Sequence, residues 1–266
     1  MAPFTTRLPC AHESDCCEGR RVIPVCNDAE ALDRTLSQFQ ALDSAVLAQL
    51  EVIVADGASQ DETLAVLGSF AAIVSHVDSQ QDDGVYDAIN RGVSNVSAPW
   101  IWVMGAGDIP TEEGLKRALG ILTYAESDAA HAFAVGSDGE PEPGVPHTWI
   151  PDWGNSMHWR NTMHHQGLIV PSSWLKSHPF SSAYRVLGDY AWCLDRLKSG
   201  QTVHCHSELM VAKVSSGGLS RTFTPALYLE EWRVKMGRVP LPTLLAHLVW
   251  LPAKWAFKLC SRILSM

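Results

Sequence analysis

The N-terminal half of the chain repeats one pattern, in which a short apolar run is followed by a polar loop and then by apolar residues at helical spacing. The apolar run at 21–26 precedes such a segment at 32–39, and the run at 51–55 precedes another at 64–67. Strands that alternate with helices predict a mainly parallel sheet with helices on both faces. We therefore expect an α/β fold, in which ligands bind beyond the carboxyl ends of the strands.

Two more units of this kind complete the predicted sheet of the first half. Strands are predicted at 72–77 and 100–104, a short helix at 85–91, and another helix after Thr111. The helix ends are expected at residues with capping chemistry. These residues are Asn27 with Glu30 and Ser59 with Glu62, both at capping-box spacing, together with Gly92 and Thr111.

Composition divides the chain into four segments. Residues 1–20 are expected to form an N-terminal extension, 21–136 a ligand-binding half, 137–222 a smaller second half and 223–266 a helical tail. The boundary between the halves is placed where Pro, Gly and acidic residues accumulate without periodicity. The features predicted in the second half are a strand at 167–170, a helix at 190–198 and two short strands around Val203 and 210–214.

The formal net charge of -9 argues against a general nucleic-acid binder, because phosphate backbones are bound by surplus Lys and Arg. The seven cysteines are odd in number and contain no C-x-x-C pair, which indicates reduced thiols. The N-terminal Cys10, His12, Cys16 and Cys17 match no common zinc spacing. The first twenty-one residues contain no apolar core of signal-peptide length, so a cytoplasmic protein is expected.

Two aspartates stand where strands of the first half are expected to end. Asp56 is followed by small residues that allow a ligand to approach the backbone closely. Asp108 follows the glycine-rich turn at 105–107, where a carboxylate suits a hard divalent cation that also holds phosphates. Taken alone, each aspartate is also explained as a plain turn residue.

Four segments resemble family 2 glycosyltransferases in order and spacing. They are Asn27-Asp28-Ala29-Glu30, the runs at 54–63 and 82–92, and Gly105-Ala106-Gly107-Asp108. The most specific is Asp-x-Gly-x-Tyr-Asp-Ala-x-Asn-x-Gly at 82–92, which turn and helix propensities alone do not produce. Over roughly 22–220 the chain looks most like the bacterial branch that includes colanic acid and other exopolysaccharide transferases.

The resemblance implies a GT-A fold, which is a Rossmann-like, mainly parallel sheet flanked by helices, with a smaller acceptor-side region. It also implies a UDP- or GDP-linked sugar donor and a Mg or Mn ion. Asp56 matches a carboxylate that contacts the nucleoside. Asp108 matches a metal-binding Asp, in a turn where Gly105 replaces the usual Asn, so the ion depends more on the diphosphate and water. The residues implied to bind the donor are Asp28, Asp56, Asp82, Gly84, Asp87, Asn90, His165 and Gln166.

The second half is implied to supply the acceptor side. Asp189 matches the general base that deprotonates the acceptor hydroxyl, while the residues alone also allow it to be a helix cap. His165 and Gln166 are implied at the donor or acceptor pocket, although a histidine pair before a strand is often structural. The loop at 216–220 resembles a Gly-Gly-x-Ser loop that closes over the diphosphate, with a plain connector as the alternative.

The tail from Leu241 to Met266 is apolar but is interrupted by two prolines and three cations, so a spanning helix is not expected. The pattern predicts an amphipathic helix at an anionic membrane surface, with Lys254, Lys258 and Arg262 on one face. Packing of this helix against the second half or against a partner subunit is the alternative.

The expected function is an inverting glycosyltransferase that acts on a lipid-linked or polysaccharide hydroxyl at the cytoplasmic face of the membrane. One alternative is a nucleotidyltransferase, which would release pyrophosphate. Another is a non-catalytic sugar-nucleotide-binding subunit, which Gly105 in the metal turn keeps open. A dinucleotide dehydrogenase is not expected, because no G-x-G-x-x-G follows the first strand.

Overall fold

The computed structural model describes residues 4–7, 19–139, 146–215 and 224–264. The strands are β1 (Phe4–Arg7), β2 (Gly19–Val25), β3 (Leu50–Asp56), β4 (Val74–Ser79), β5 (Trp100–Val103), β6 (Ile109–Pro110), β7 (Ala130–Asp138), β8 (Thr148–Trp149), β9 (Leu168–Pro171) and β10 (Val203–Ser215). The helices are α1 (Ala29–Gln40), α2 (Ser44–Leu47), α3 (Thr63–Ser69), α4 (Val85–Ser94), α5 (Glu112–Leu122), α6 (Ser172–Ser177), α7 (Gly188–Lys198), α8 (Pro225–Lys235) and α9 (Leu241–Leu264). Short 3-10 helices occupy Asn155–His158 and His165–Gly167.

The strands form one ten-stranded sheet in the order β1-β4-β3-β2-β5-β9-β7-β10-β6, with β8 paired to β7. The pairs β2–β3, β3–β4 and β2–β5 are parallel, as predicted for the first half. Beyond them the sheet is mixed, because β9 runs antiparallel to both β5 and β7, while β7 and β10 are parallel. The two predicted halves therefore share one continuous sheet.

Helices cover both faces of this sheet, as predicted. Successive side chains of a strand point to opposite faces. Val22 of β2 packs with residues of α4, α6 and α7, while the next residue, Ile23, packs with α1, α3 and α5. Leu32, Leu36 and Phe39 of α1 are fully buried, which confirms the predicted inner face of that helix.

Two predicted helix caps are wrong. α1 is capped by Asp28, whose carboxylate accepts a hydrogen bond from the Ala31 amide (3.4 Å), whereas Asn27 adopts a φ of 50°. Ser59 does not cap α3, because its hydroxyl donates to Asp56 (2.5 Å). A buried carboxylate needs hydrogen-bond donors, and this need outweighs the local capping pattern.

Two other helix ends also differ from the prediction. α4 continues through Gly92, where a Cβ would lie 2.4 Å from Val22 Cγ1, so this glycine permits close packing of the helix on β2 instead of ending the helix. Thr111 occupies the N-cap position of α5 as predicted, but its hydroxyl donates to the Met210 carbonyl of β10 and makes no capping hydrogen bond. Both differences arise from contacts with strands that are distant in sequence.

Two strands differ from the prediction. Residues 4–7 of the predicted extension form β1, which pairs antiparallel with β4 at the edge of the sheet. The two short strands predicted around Val203 and 210–214 are one strand, β10, whose register against β7 shifts between His206 and Ala212. Such a bulge interrupts the alternation of apolar and polar residues, so the sequence resembles two strands. The N-terminal cysteines and histidine at 10–17 lie outside the described residues.

The tail consists of α8 and α9. Lys254 does not lie on a free cationic face, because its ammonium group pairs with the Glu231 carboxylate of α8 (3.0 Å). Leu251, which lies three residues earlier on α9, is buried. In the part of the chain that the structure describes, no helix combines the length and the apolar character needed to cross a bilayer.

Candidate active site

A cavity of about 580 Å³ lies at the carboxyl ends of the strands, where such sheets bind ligands. Pro24 of β2, Val103 of β5 and Val214 of β10 line it on the sheet side, and α4, α7 and α8 contribute to its other walls. The predicted site residues on its wall are Asp108, His165, Gln166 and Asp189. Residues separated widely in sequence thus meet in one cavity.

Asp108 lies in the turn after β5 and is only 4% exposed. Its Oδ2 accepts hydrogen bonds from the Gln166 side-chain amide (2.6 Å) and the Gly105 backbone amide (3.0 Å), and its Oδ1 accepts one from the Ser215 amide (3.3 Å). Burial raises the pKa of Asp108 in spite of these donors. Its negative charge is therefore incompletely compensated, which suits the binding of a cation.

The turn that carries Asp108 is held by Thr35 of α1, which is fully buried. Thr35 Oγ1 accepts a hydrogen bond from the Gly107 amide (2.8 Å) and donates one to the Asp108 carbonyl (2.9 Å). Gly107 has a φ of 90°, which favours glycine. Thr35 was not predicted from the sequence, where its only signal was a hydroxyl on an otherwise apolar helix face.

Asp189 lies in the first turn of α7 and faces the same cavity. Its Oδ1 accepts a hydrogen bond from the Tyr86 hydroxyl (3.1 Å), and its Oδ2 lies 3.3 Å from His165 Nδ1. Leu187 occupies the N-cap position of α7, so the carboxylate is not the helix cap that the sequence also allowed. Burial by itself raises the pKa of Asp189, but the hydrogen bond and charge of His165 outweigh burial and lower it.

His165 and Gln166 connect the two carboxylates. They are consecutive residues of one 3-10 helix, and Gln166 donates to Asp108 while His165 pairs with Asp189. Burial by itself lowers the pKa of His165, but its interactions with Asp189 reverse this effect and raise it. His165 therefore holds a proton more readily than a free histidine does, at a position between two carboxylates.

Asp56 ends β3, as predicted, but it is fully buried and does not line the cavity. Its oxygens accept hydrogen bonds from the hydroxyls of Ser59 and Ser79, both at 2.5 Å. A Cβ at Gly57 would lie 2.7 Å from Asp82 Oδ2, so the glycine lets the loop after β3 pack closely against that carboxylate. The structure thus places Asp56 and Asp82 on neighbouring segments, and neither of them lines the cavity.

A cluster of acids surrounds Arg91 of α4. Its guanidinium lies 3.0 Å from Asp78, 3.6 Å from Asp82 and 3.8 Å from Asp87, measured to carboxylate oxygens. It also donates to the Asp56 carbonyl (3.4 Å). Burial raises the pKa of Asp82. Arg91 therefore contacts three of the predicted donor residues, Asp56, Asp82 and Asp87. The sequence motif does not specify the residue at position 91.

The other predicted donor residues have local structural roles. Gly84 starts α4 with a φ of 119°, which favours glycine. The Asn90 side chain exchanges two hydrogen bonds with the Phe180 backbone (2.8 and 2.9 Å) and does not line the cavity. Asp28 caps α1. The loop at 216–220 lies outside the described residues.

A family model, Glycosyl transferase family 2, matches residues 22–181, which is more than half of the chain. The chain belongs to glycosyl transferase family 2. Over 255 residues it is 27% identical to the PGL/p-HBAD biosynthesis glycosyltransferase of Mycobacterium bovis (strain BCG / Pasteur 1173P2), and the alignment covers 92% of this chain and 93% of that relative. The predicted enzyme class, a glycosyltransferase, is therefore confirmed.

Solved structures confirm the predicted GT-A fold. S. aureus TarS 1-349 in complex with UDP-GlcNAc matches with a TM-score of 0.65 at 15% identity, covering 91% of this chain and 72% of that one. The mannosyltransferase PcManGT from Pyrobaculum calidifontis, in complex with GDP-Man and Mn²⁺, matches with a TM-score of 0.60 at 15% identity, covering 92% of this chain and 72% of that one. The chain spans only 39% of the longer TarS chain. Family and fold together make this protein a nucleotide-sugar-dependent glycosyltransferase.

Proposed function

We propose that this glycosyltransferase transfers a sugar from a UDP- or GDP-linked donor to a hydroxyl of a lipid-linked or polysaccharide acceptor. The transfer uses a Mg or Mn ion and inverts the configuration at the anomeric carbon. The observation that carries this proposal is the shared cavity of Asp108 and Asp189, which are connected through Gln166 and His165. An inverting displacement needs a base on the acceptor side and charge neutralisation at the leaving diphosphate. The two carboxylates are suited to these two tasks.

Asp189 is the proposed general base. The acceptor oxygen bonds to the anomeric carbon, the bond from that carbon to the diphosphate breaks, and the hydroxyl proton passes to the Asp189 carboxylate. The lowered pKa of Asp189 keeps it ionised and ready to accept this proton at neutral pH. Tyr86 and His165 fix its orientation through their contacts at 3.1 and 3.3 Å.

Asp108 and Gln166 are the residues that would hold the metal ion. Among the described residues there is no group of three His, Cys, Asp or Glu able to bind a metal, so the diphosphate and water would complete the coordination. Gln166 Oε1 is buried beside Asp108 without a hydrogen-bond partner among the described residues, and Mg and Mn prefer such oxygen ligands. When bound, the ion neutralises charge on the leaving diphosphate. Two of the similar structures, PcManGT and the glucosyl-3-phosphoglycerate synthase of Mycobacterium tuberculosis, contain Mn²⁺.

The acid cluster around Arg91 is the proposed nucleoside side of the donor site. Asp78 lies near the carboxyl end of β4 and Asp82 follows that strand, at the same edge of the sheet as the turn of Asp108. Asp82 is the carboxylate of this cluster that we propose to contact the nucleoside. The Asp56 carboxylate accepts hydrogen bonds from two serine hydroxyls, so its proposed role is to hold the loop after β3 in place.

The test of the donor proposal is a thermal-shift screen of the full chain with UDP, GDP and their sugars, with and without Mn²⁺. A ligand that binds only the folded state stabilises it by about 2.7 kcal/mol at a hundredfold excess over Kd. We expect Mn²⁺-dependent stabilisation by the sugars of one nucleotide, and release of the nucleoside diphosphate during turnover. A protein that no nucleotide sugar stabilises would contradict the proposal, as would release of pyrophosphate.

The tail supports an acceptor at a membrane surface. α9 exposes an apolar face that includes Leu248 (58% exposed), Val249 (76%) and Trp250 (50%). The same helix contributes Lys254 to the cavity wall, so the helix that carries these apolar side chains also borders the site. The M. bovis relative, named for PGL/p-HBAD biosynthesis, is consistent with a glycolipid product. We therefore propose that the enzyme lies at the cytoplasmic face of the membrane with this helix in the headgroup layer.

Co-sedimentation with vesicles of phosphatidylglycerol and phosphatidylcholine tests this location. We expect the full chain to bind them, and the double variant Leu248→Glu/Val249→Glu to bind at least about tenfold more weakly, because burying each apolar side chain contributes about 1.5–3 kcal/mol. Tyr124→Glu is the matched control, since Tyr124 is 90% exposed outside α9. Equal binding by the parent and the double variant would exclude α9 as the membrane contact.

A further inference from the structure

The α8 end of the cavity is rich in cations that the proposed chemistry does not use. Arg160, Arg185 and Lys254 all line this cavity, together with Tyr228 and Glu231 of α8. The three cations come from three different parts of the chain. The segments that carry these three cations are brought together through their contacts with α8.

Hydrogen bonds to α8 hold the Lys254 side chain and the backbone beside each of the two arginines. The Glu231 carboxylate accepts from Lys254 (3.0 Å), which holds that ammonium group at the wall. Lys235 Nζ donates to the Trp159 carbonyl (3.0 Å), directly before Arg160.

The backbone that follows Arg185 is held by Glu230. Its carboxylate accepts hydrogen bonds from the amides of Val186 (2.8 Å) and Leu187 (2.7 Å), which directly follow Arg185. Residues of α8 thus hold the backbone beside each arginine and the side chain of Lys254.

Positive charge exceeds negative charge at this end of the cavity. Glu231 already pairs with both Lys235 (2.8 Å) and Lys254 (3.0 Å), so it is fully compensated. Arg160 and Arg185 are exposed, and neither guanidinium has a hydrogen bond or an ion pair among the residues that the structure describes. On a protein with a formal net charge of -9, two guanidinium groups that no described residue pairs with, beside a cavity, indicate a site for an anion.

We propose that this end of the cavity is an anion subsite for the acceptor, in which Arg160, Arg185 and Lys254 bind a phosphate or carboxylate group that the acceptor carries. Arg185 lies just before the first turn of α7, and that turn carries Asp189. An acceptor anchored at Arg185 would therefore present a hydroxyl to the base. The inference rests on the proposed function, because it assigns this end of the cavity to the acceptor and the Asp108 end to the donor diphosphate.

Binding of octyl phosphate to the full chain, saturated with UDP and Mn²⁺ so that the donor side is filled, tests the subsite. We expect octyl phosphate to bind and the uncharged octyl glucoside to bind at least about tenfold more weakly. Arg160→Gln and Arg185→Gln should each lower the affinity for octyl phosphate about tenfold, as expected for the loss of a charged hydrogen bond. Arg117→Gln, on the exposed side of α5, is the matched control and should bind as the parent does.

The outcomes separate the sources of the anion and the two proposals. Inorganic phosphate that competes with octyl phosphate supports a subsite for a discrete anion. If the arginine variants weaken only vesicle binding, and soluble octyl phosphate does not bind, the cations serve a membrane surface and the subsite is rejected. Equal binding of octyl phosphate and octyl glucoside also rejects it. Because the donor diphosphate is assigned to the Asp108 end of the cavity, the affinity for UDP should be unchanged in both arginine variants. Failure of UDP to bind the parent protein would reject the proposed function instead.

Discussion

Replacing Asp189 by Asn is expected to lower the rate of sugar transfer by a factor of about 10²–10⁴, the contribution typical of a general base. Asn keeps the size of the side chain and can accept the hydrogen bond from the Tyr86 hydroxyl, but it cannot take up a proton. The affinities for UDP and Mn²⁺ should stay unchanged, because the metal and the diphosphate are proposed to bind at Asp108 and the nucleoside at the acid cluster around Arg91. Steady-state kinetics and titration with UDP measure the two effects separately.

Asp195→Asn is the matched control for this variant. It makes the same substitution in the same helix, at a carboxylate that pairs with Arg238 (3.0 Å) and does not line the cavity. This partly exposed ion pair contributes on the order of 1 kcal/mol to stability and lies outside the cavity, so transfer should be unaffected. Equal losses of transfer rate in both variants would indicate damage to α7. Full activity of Asp189→Asn would show that Asp189 is not the general base.

The Asp189 variant also has a signature in the stability of the metal-free protein. Asp189 raises the pKa of His165 above its ordinary value of 6.5. Stabilisation by this pair is therefore fully present below pH 6.5 and is lost as the pH rises through the raised pKa. Urea unfolding should show Asp189→Asn less stable than the parent at mildly acidic pH, with a difference that shrinks at alkaline pH.

The parts of the site that follow directly from a strand were predictable from the sequence. Asp56 and Asp108 each follow an apolar run, and parallel strands bring their carboxyl ends to one edge of the sheet, so both positions follow from local pattern and handedness. Asp189 and the His165–Gln166 pair needed the family resemblance, since a short polar motif before a helix or strand has no pattern that distinguishes a catalytic group from a structural one.

The parts that were missed depend on contacts between elements distant in sequence. Thr35 contacts the Asp108 turn because α1 packs on the sheet, and Arg91 of α4 pairs with Asp78 of β4 and with Asp82 in the loop after that strand. Lys254 was assigned to a membrane-facing stripe from its helical spacing alone, yet a buried Glu231 on α8 draws it inward. In each case a buried polar group needs a partner, and helical or strand periodicity does not indicate which residue supplies it.

Replacing Asp108 by Asn is expected to remove the Mn²⁺-dependent part of donor affinity. Loss of groups that only orient a metal ligand typically costs 10–100-fold in metal affinity, so loss of the ligand itself should weaken UDP binding in Mn²⁺ by at least about tenfold. UDP binding without metal should change little. Asp128→Asn, at an exposed position before β7, is the matched control, and titration of each protein with UDP with and without Mn²⁺ measures the effect.

The stability of Asp108→Asn distinguishes a metal ligand from a structural residue. Burial raises the pKa of Asp108, so the ionised carboxylate destabilises the metal-free fold at neutral pH, and Asn does not carry this charge. The Asn oxygen can keep the bonds from Gln166 and Gly105, and only the 3.3 Å bond from the Ser215 amide is lost. We therefore expect the variant to unfold in urea no more readily than the parent at pH 7. A variant that unfolds far more readily, while UDP still needs Mn²⁺, would make Asp108 a residue that holds the turn and would place the metal elsewhere.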